Sequence, residues 1–385
     1  MIAYSHPVLD QVTPTRREFL ATGAILGGAT MLSACAPGTE PLANVSASGP
    51  CLPKVRASAD RAIRQLVGLR PYRPSGFVVR REAIDDKRLV HNYGHGGGGI
   101  TLGWGSSKLA VDLGLPGHQG PVAVIGAGIM GLTTARLLQE AGQQVTIYTS
   151  QLPPETTSNI AGGQWYPSSV FSGSQLTPEF EQQFVAASAY SYYRYQLLVG
   201  EHYGVRWMPT YELSNRPINM GQVDRLIANM LPEMQTFEEA DNPFGTLHLR
   251  RSYNMYIEPA RFLRAIQRDI LLAGGKITVR HFHDRGEVQA LPEKLIFNCT
   301  GLGAAELFGD EELIPVRGQL EILLPQPEIN YAYTNRRGLY MFPRSDGIVL
   351  GGTFERGQFD RTPQPEVSSR IVDGHAAIAD AMRCA

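Results

Sequence analysis

Residues 121–150 read PVAVIGAGIMGLTTARLLQEAGQQVTIYTS, and this stretch decides the fold. An apolar run leads into the turn Gly126-Ala127-Gly128-Ile129-Met130-Gly131, which is followed by an amphipathic segment and a second apolar run. This order predicts a strand, a helix and a parallel strand, the unit whose glycine-rich turn holds a pyrophosphate at a helix N-terminus. Gly126 permits the tight turn, Gly128 lets the backbone approach the phosphates, and Gly131 lets the helix pack on the strand. We therefore predict a dinucleotide site; the alternative is a unit of the same shape that binds nothing.

The second strand of this unit lacks the terminal acidic residue that commonly binds the adenosine ribose. The strand runs instead into Tyr148-Thr149-Ser150, so we assign the ribose to the hydroxyl of Ser150, which is a weaker partner. A later apolar run, residues 294–298, ends in the small-residue turn Cys299-Thr300-Gly301-Leu302-Gly303. A second strand that ends beneath the same dinucleotide favours FAD over NAD.

The composition indicates a large buried core and a small-molecule partner. The chain has 385 residues, of which 43% are hydrophobic and 18% charged. Its 35 lysines and arginines balance 36 acidic residues, which leaves no basic surface for nucleic acid. The four cysteines are widely spaced, and His281 and His283, which alternate on a strand-like segment, have no third ligand nearby. A metal site is therefore not expected.

Residues 1–35 resemble an export signal. Thr15-Arg16-Arg17-Glu18-Phe19-Leu20 precedes an apolar run, from Ala21 to Leu32, that is too short to span a bilayer comfortably. The paired arginines resemble a twin-arginine signal. Leu32-Ser33-Ala34-Cys35 resembles a lipoprotein cleavage box, in which Cys35 is lipidated; the alternative is simple cleavage and a free periplasmic protein. Residues 36–50 would then form a linker.

Four further stretches carry a specific resemblance. They are LVHNYGHGGGGITLGWG at 89–105, TTSNIAGGQWYP at 156–167, VGLRPYRP at 67–74 and GLYMFPRSDGIVLGGTF at 338–354. Four consecutive glycines among aromatic residues cost chain entropy that only a ligand close to the backbone would offset. Together the stretches are similar to the motifs of the D-amino-acid oxidase family, FAD-dependent oxidoreductases that act on CH–NH2 groups. The resemblance covers nearly everything after residue 50.

The order of the motifs differs from that of the family. The stretches at 67–74 and 89–105 come last in the family, whereas here both precede the turn that begins at Gly126. The resemblance therefore implies a circular permutation, with residues 114–120 as the joint and the new ends close together. Cys51 and Cys384 would lie on either side of the cut, and we predict a disulfide between them; the alternative is two unrelated thiols.

The resemblance assigns three residues to the substrate. Arg70 matches the arginine that binds the substrate carboxylate, a role that suits a planar, bidentate and always charged donor. Tyr340 matches the tyrosine whose hydroxyl joins it, and the Gly97 carbonyl matches the acceptor of the substrate amine. The alternatives are a structural salt bridge for Arg70 and a satisfied buried tyrosine for Tyr340. The implied reaction is hydride transfer from the substrate Cα to flavin N5, which positioning alone can promote.

The resemblance also assigns the FAD contacts, mainly to backbone and hydroxyl groups. The backbone around the glycine-rich motif would neutralise the reduced flavin, and the N–H of Gln164 would reach the opposite flavin edge, as an oxyanion hole stabilises charge. The implied FAD residues are Gly126, Gly128, Ile129, Met130, Gly131, Ser150, Thr156, Thr157, Ser158, Ala161, Gly163, Gln164, Trp165, Thr300, Gly301, Gly96, Gly98, Gly99, Ile100 and Thr101.

Some departures from the family concern the substrate. The segment from Pro327 to Tyr340 is shorter than in vertebrate members, so we expect the mobile lid to be missing and the site to be more open. Gly98 and Phe354 stand where members often carry tyrosine. Four arginines could meet an acidic side chain, as in D-aspartate or D-glutamate, or could be solvated on the surface: Arg336, Arg337, Arg344 and Arg356.

We therefore predict an α/β protein with a Rossmann-like FAD-binding lobe, residues 75–165 and 253–303, and a mixed-sheet substrate-binding lobe, residues 51–74, 166–252 and 304–385. The predicted reaction oxidises a D-amino acid to a 2-oxo acid and ammonia, with O2 as acceptor and H2O2 as product. The alternatives are a quinone-linked D-amino-acid dehydrogenase, a glycine- or sarcosine-type amine oxidase and, from a different class, an exported flavin-binding protein without turnover. The predicted location is the periplasm or cell envelope, with membrane contact only through a lipid anchor.

Overall fold

The computed structural model describes residues 51–383, which contain fifteen strands and eight α-helices. The strands are β1 (Ala62–Tyr72), β2 (Val78–Ile84), β3 (Lys87–Tyr93), β4 (Val122–Ile125), β5 (Val145–Thr149), β6 (Val205–Ser214), β7 (Gln235–Phe237), β8 (His248–Ile257), β9 (Lys276–Val279), β10 (Leu295–Asn298), β11 (Ile314–Leu323), β12 (Ala332–Asn335), β13 (Tyr340–Arg344), β14 (Gly347–Gly351) and β15 (Glu355–Arg356). The helices are α1 (Gly99–Gly114), α2 (Ile129–Glu140), α3 (Pro178–Gln196), α4 (Gln222–Leu226), α5 (Pro259–Leu272), α6 (Arg285–Gln289), α7 (Gly303–Phe308) and α8 (Pro365–Ala381). Short 3-10 helices lie at Ala59–Arg61, Gly96–Gly98, Thr157–Ile160, Gly173–Gln175, Ala228–Met230 and Glu239–Asp241.

The predicted strand–helix–strand unit forms the middle of a six-stranded sheet with strand order β2-β3-β10-β4-β5-β9. Its strands run parallel except β2, which pairs antiparallel with β3 at one edge. β4 and β10 are buried along their whole length, as expected for central parallel strands covered on both faces. All six strands lie inside the ranges 75–165 and 253–303.

Helices α1, α2 and α5 pack on strands of this sheet, and a small residue of α1 allows α3 to approach α1 closely. α1 packs against both α2 and α3. A Cβ at Gly105 of α1 would lie 1.8 Å from the Ala187 carbonyl oxygen of α3, and the Gly105 N–H donates to Ser191 Oγ at 2.8 Å. The helix that follows the glycine-rich motif is therefore packed closely against α3, and it also contacts β2 and β3 of the parallel sheet.

The second sheet is mixed, with strand order β1-β11-β14-β13-β12-β6-β8-β7 and β15 paired with β11. β12 pairs parallel with β6, whereas the other neighbours are antiparallel. α8 packs on β11 and β14. The predicted architecture, a Rossmann-like sheet joined to a mixed sheet, is confirmed.

Two structural features are relevant to the predicted circular permutation of the chain. Residues 115–120, which join α1 to β4, form a largely exposed connector with positive φ at Gly117 and Gly120. Near the limits of the described chain, the Tyr331 hydroxyl donates to the Pro53 carbonyl at 2.7 Å and lies 3.9 Å from Met382 Sδ. Residues 53 and 382 therefore lie close to one side chain of the core.

Three predictions concern residues outside regular structure or outside the described chain. β9 ends at Val279, so His281 and His283 follow the strand and do not alternate on it as predicted; their rings lie 4.5 Å apart. The chain turns there towards α6, which explains the difference. Cys35 and Cys384 lie outside the described residues, and so does the predicted export signal.

Candidate active site

A cavity of about 1160 Å³ is lined by residues of both sheets. One end lies at the carboxyl edge of the parallel strands, where the turns after β4, β5 and β10 meet. Open α/β sheets bind ligands at this edge. The other end is formed by β1, β11 and β13 of the mixed sheet. The volume exceeds the range of about 300–1,000 Å³ typical of sites for drug-sized ligands, so an extended cofactor and a substrate can share it.

The glycine-rich turn after β4 has the geometry that a dinucleotide needs. Gly126 has φ +107°, and a Cβ there would lie 2.5 Å from the Cys299 carbonyl oxygen of the neighbouring turn. A Cβ at Gly131 would lie 1.9 Å from the Gly126 carbonyl oxygen. Larger residues would therefore block the close approach of the turn, the helix and the adjoining strand. The N–H groups of the first turn of α2 that follow Ile129 have no partner within the helix and are available to phosphates.

Ser158 is placed directly at this helix N-terminus. Its Oγ accepts a hydrogen bond from the Ile129 N–H at 3.0 Å, although the two residues are far apart in sequence. The residues predicted here that line the cavity are Gly126, Gly128, Ile129, Met130, Ser150, Thr156, Thr157, Ser158, Thr300 and Gly301. Gly131 lies behind the turn and does not line it.

The part of the cavity near Ser150, where we predict the ribose, contains residues that were not predicted from the sequence. Ser150 lines the cavity, and Gln151, Arg280 and Phe282 join it there. The Arg280 N–H donates to the Thr149 carbonyl at 2.8 Å, which places Arg280 beside the end of β5. The Arg280 guanidinium lies 4.6 Å from the centre of the Phe282 ring. The sequence signal that could have identified Arg280 is its position just after β9, the strand that pairs with β5.

The glycine-rich motif forms a 3-10 turn, Gly96–Gly98, that leads directly into α1. Gly96 has φ +54°, and a Cβ there would lie 2.0 Å from the Ser169 carbonyl oxygen. That carbonyl accepts the Gly97 N–H at 3.2 Å, while Ser169 itself has φ +53°. The motif is thus held against residues 168–169, and Gly96, Gly97, Gly99 and Ile100 line the cavity.

Three predicted FAD residues lie in the layer behind the cavity. A Cβ at Gly98 would meet the Val170 side chain at 2.5 Å. Thr101 Oγ1 accepts the Tyr166 N–H at 3.1 Å and is buried. The Trp165 side chain is buried against Tyr192, with ring centres 5.0 Å apart. These three residues support the cavity wall from behind, and for Thr101 the helical period of α1 explains the direction of the side chain. Ala161, Gly163 and Gln164 line the cavity itself.

At the other end of the cavity, Arg70 and Tyr340 each lie over a glycine of the mixed sheet. A Cβ at Gly318 would lie 2.4 Å from Arg70 Nη1, and one at Gly351 would lie 2.5 Å from the Tyr340 hydroxyl. Both side chains line the cavity. Arg70 Nη1 is buried and has no hydrogen-bond partner among residues 51–383. The alternative of a structural salt bridge for Arg70 is therefore not supported.

A polar wall on β6 and β8, which the sequence reasoning missed, borders this end. Glu212 and Arg250 are opposite each other in the sheet and pair at 2.5 Å, and Arg336 Nε approaches Glu212 Oε1 at 3.4 Å. The Tyr166 hydroxyl donates to Asp224 at 2.8 Å. Burial, and then the nearby carboxylate of Asp224, raise the pKa of Tyr166 above its usual range.

The four arginines that we considered as partners of an acidic substrate side chain lie in different environments. Arg344 is buried and pairs with Asp346 at 2.8 Å, so it is neither solvated nor available to a substrate. Arg356 lies over the Tyr72 ring, outside the cavity lining. Arg336 pairs with Glu212, and Arg337 lines the cavity. β12 and β13 are joined by a short turn, in which the Asn335 N–H donates to the Leu339 carbonyl at 2.8 Å. The absence of a lid stays a prediction.

The comparisons with known proteins identify the family. Residues 12–113 and 121–381 match the family model described as DAO, FAD dependent oxidoreductase. The chain belongs to this family. The D-amino-acid oxidase of Streptomyces coelicolor is 31% identical over 266 residues, covering 68% of this chain and 78% of that protein. The D-amino acid oxidase of Dugesia ryukyuensis is 29% identical over 272 residues, with the same coverage of 68% and 78%. The D-aspartate oxidase of Homo sapiens is 25% identical over 262 residues, covering 67% and 75%.

Solved structures of DAO-type fold agree with the architecture. A glycine oxidase from Geobacillus kaustophilus superposes with a TM-score of 0.52 at 17% identity, over 70% of this chain and 81% of that one. An L-amino acid deaminase from Proteus vulgaris superposes with a TM-score of 0.50 at 15% identity, over 70% and 77%. At these identities the likeness concerns the fold alone.

DAO-family membership makes this protein an FAD-dependent oxidoreductase of amino acids or amines. It decides against the alternative of a flavin-binding protein without turnover. The residues present fit FAD. The turn from Gly126 to Gly131 has no room for side chains larger than glycine at its first and last positions, and the N-terminus of α2 lies at a cavity of sufficient size. Within residues 51–383, no set of three or more His, Cys, Asp or Glu side chains is placed to hold a metal ion. None of the helices in that range has the length and apolar character to cross a membrane.

Proposed function

We propose that this DAO-family protein oxidises D-amino acids, and the observation that carries the proposal is Arg70. A buried guanidinium nitrogen without a partner is unfavourable, because the charge loses hydration and gains no hydrogen bond. Such a group at a cavity is explained by an anion that binds there. The α-carboxylate of an amino acid is planar and bidentate, which matches the guanidinium.

The remaining groups would orient the amino acid. Arg70 and Tyr340 would hold the carboxylate, and the Gly97 carbonyl would accept from the amine. Bound FAD would supply the acceptor for the hydride that leaves the substrate Cα. His95 also lines the cavity, where desolvation lowers its pKa to about 3, so it stays uncharged and does not compete with Arg70 for the carboxylate. Catalysis would then come from positioning, with no dedicated base.

The D configuration and O2 as acceptor are supported by the relatives, two of which are named D-amino-acid oxidases. The test is anaerobic bleaching of the visible flavin band with D-amino acids, L-amino acids, glycine and sarcosine in turn. We expect bleaching by D-amino acids and rapid recovery when O2 is admitted. Bleaching by glycine or sarcosine alone would indicate an amine oxidase instead. Recovery only with a quinone would indicate a dehydrogenase.

We also propose that the chain is a circular permutation of the family order. The support is that the family match falls in two stretches separated at residues 114–120, which form an exposed connector. A further support is that residues 53 and 382 both lie against Tyr331. The test is a chain that starts at Gly120, joins residue 383 to residue 51 through a short linker, and ends at Pro116. Full FAD content and unchanged kcat/KM would support the proposal, and an unfolded product would count against it.

Export and the disulfide remain proposals from the sequence. We propose a twin-arginine signal with Cys35 as a lipidation site, and a disulfide between Cys51 and Cys384. Replacement of Arg16 and Arg17 by lysine should retain the protein in the cytoplasm, and Cys35→Ser should release it from the membrane fraction. Intact-mass measurement of exported protein, with and without reductant, tests the disulfide, since two alkylated thiols before reduction would exclude it.

A further inference from the structure

A buried hydrogen-bonded chain connects α8 to the mixed sheet behind Tyr340. His375 of α8 is fully buried. Its Nδ1 lies 2.7 Å from the Tyr333 hydroxyl on β12, and its Nε2 lies 3.1 Å from the Gly351 carbonyl oxygen at the end of β14. Three elements that are not consecutive in the chain therefore meet at one imidazole ring.

The donors and acceptors determine where the protons lie in the hydrogen bonds that connect Tyr333, His375 and Gly351. A carbonyl oxygen can only accept, so His375 Nε2 must carry the proton that it donates to Gly351. Desolvation lowers the pKa of His375 to about 4, so the ring is neutral and Nδ1 is an acceptor. Burial raises the pKa of Tyr333 well above its usual range, so its hydroxyl keeps the proton that it donates to Nδ1. All hydrogen-bonding groups of the ring are satisfied with one tautomer.

Gly351 is also the residue on which Tyr340 rests. Tyr340 and Gly351 are opposite each other in the β13–β14 pair. A Cβ at Gly351 would lie 2.1 Å from Tyr340 Cζ and 2.5 Å from its hydroxyl, so ring and backbone are in direct contact. The ring also stacks on Phe342 with centres 4.9 Å apart. The position of the Gly351 backbone therefore sets the position of the Tyr340 hydroxyl.

The same helix also fixes the residue before Tyr340. A Cβ at Gly374, next to His375 in α8, would lie 2.9 Å from Leu339 Cδ1. A Cβ at Gly352, next to Gly351, would lie 2.7 Å from Leu339 Cδ2. Leu339 is thus held between two glycines, one on α8 and one on the strand end. α8 reaches Tyr340 both through Gly351 and through Leu339.

We propose that His375 is a positioning residue: it holds the Gly351 carbonyl from behind the sheet and thereby fixes Tyr340 for binding the substrate carboxylate. The inference rests on the proposed function, in which Tyr340 and Arg70 bind that carboxylate. His375 is not among the residues that line the cavity, so it would not touch a ligand bound there. Its effect is exerted through the backbone on which the Tyr340 ring lies.

The test measures how tightly the holoprotein binds propionate, a carboxylate without an amine, by the change in the visible flavin spectrum. His375→Leu removes both hydrogen bonds, and His375→Gln keeps a donor long enough for the Gly351 carbonyl. The matched control is Ser368→Ala, which removes buried hydrogen bonds of α8 to Glu321 and Gln319 on β11 but leaves both hydrogen bonds of His375 in place. FAD content and melting temperature are recorded for every variant. If His375→Leu does not fold, His375→Asn replaces it, because asparagine is too short to reach Gly351.

We expect His375→Leu to weaken propionate binding about fivefold to tenfold, the effect of one lost hydrogen bond. His375→Gln should stay within about twofold of the native protein, and so should Ser368→Ala, whatever its melting temperature. In a Tyr340→Phe background, His375→Leu should have no further effect on affinity, because both changes act on the same contact. An additive effect in that background, or equal losses in His375→Leu and Ser368→Ala, would overturn the inference. If neither Arg70→Ala nor Tyr340→Phe weakens propionate binding, the proposed function itself fails, and this inference fails with it.

Discussion

Replacement of Arg70 by alanine gives the sharpest test of the proposed site. Arg70 Nη1 is buried without a hydrogen-bond partner, so this nitrogen has already lost its hydration before a ligand binds. Each hydrogen bond to a charged group contributes about 1.5 kcal/mol or more, so loss of a bidentate pair costs about 3 kcal/mol. That loss corresponds to about a hundredfold in kcat/KM. The unfolding free energy should not fall, because the alanine leaves no partner group unsatisfied.

The assay is stopped-flow reduction of the bound flavin by D-amino acids without oxygen, combined with chemical denaturation. Arg356→Ala is the matched control, since Arg356 lies 5.6 Å from the same Phe354 ring that Arg70 approaches at 5.9 Å, but does not line the cavity. The reasoning is refuted if Arg70→Ala reduces its flavin at the native rate. It is also refuted if both alanine variants lose activity equally, because the loss would then not depend on the cavity.

Further predictions concern the glycines and the buried imidazole. Gly318→Ala places a Cβ 2.4 Å from Arg70 Nη1, so flavin titration should show carboxylate binding weakened at least tenfold with normal FAD content. Gly131→Ala places a Cβ 1.9 Å from the Gly126 carbonyl oxygen, so purified protein should have a greatly reduced ratio of flavin to protein absorbance. His375 has its pKa lowered from 6.5 to about 4, so the native state favours the neutral ring. Its contribution to the unfolding free energy, about 3 kcal/mol, is complete above pH 6.5 and is lost as the pH falls towards 4. Denaturation across this range should show a shallower decline for His375→Gln, and an unchanged slope would contradict the assignment.

The parts of the site that lie close together in sequence could be predicted from it. The turn from Gly126 to Gly131 carries its own geometry, because the glycines, the strand before them and the helix after them are contiguous. Arg70 and Tyr340 are far apart in sequence, and the family resemblance identified them together. The structure places both at one cavity because β1 and β13 belong to the same sheet.

The parts that depend on strand register could not be predicted. Glu212 and Arg250 pair because β6 and β8 align them across the sheet, and neither residue is distinguished in its own strand. His375 looks like any polar residue in a helix until the neighbouring carbonyl of Gly351 is known. Thr101 is the opposite case, because it was predicted to contact FAD but does not line the cavity. The glycine-rich motif continues into α1, and the helical period turns some of its side chains away from the cavity.

The exposed connector at 115–120 divides the described chain into two pieces of unequal length. The shorter piece supplies β1 to the edge of the mixed sheet, and β2 and β3 to the edge of the parallel sheet. Without it, β11 and β10 would each lose a hydrogen-bonded neighbour, and unpaired strands tend to aggregate. A protein cut in the connector should therefore regain both its flavin and its substrate site only by complementation of the two fragments. Each sheet takes strands from both pieces, so neither piece alone can complete either sheet.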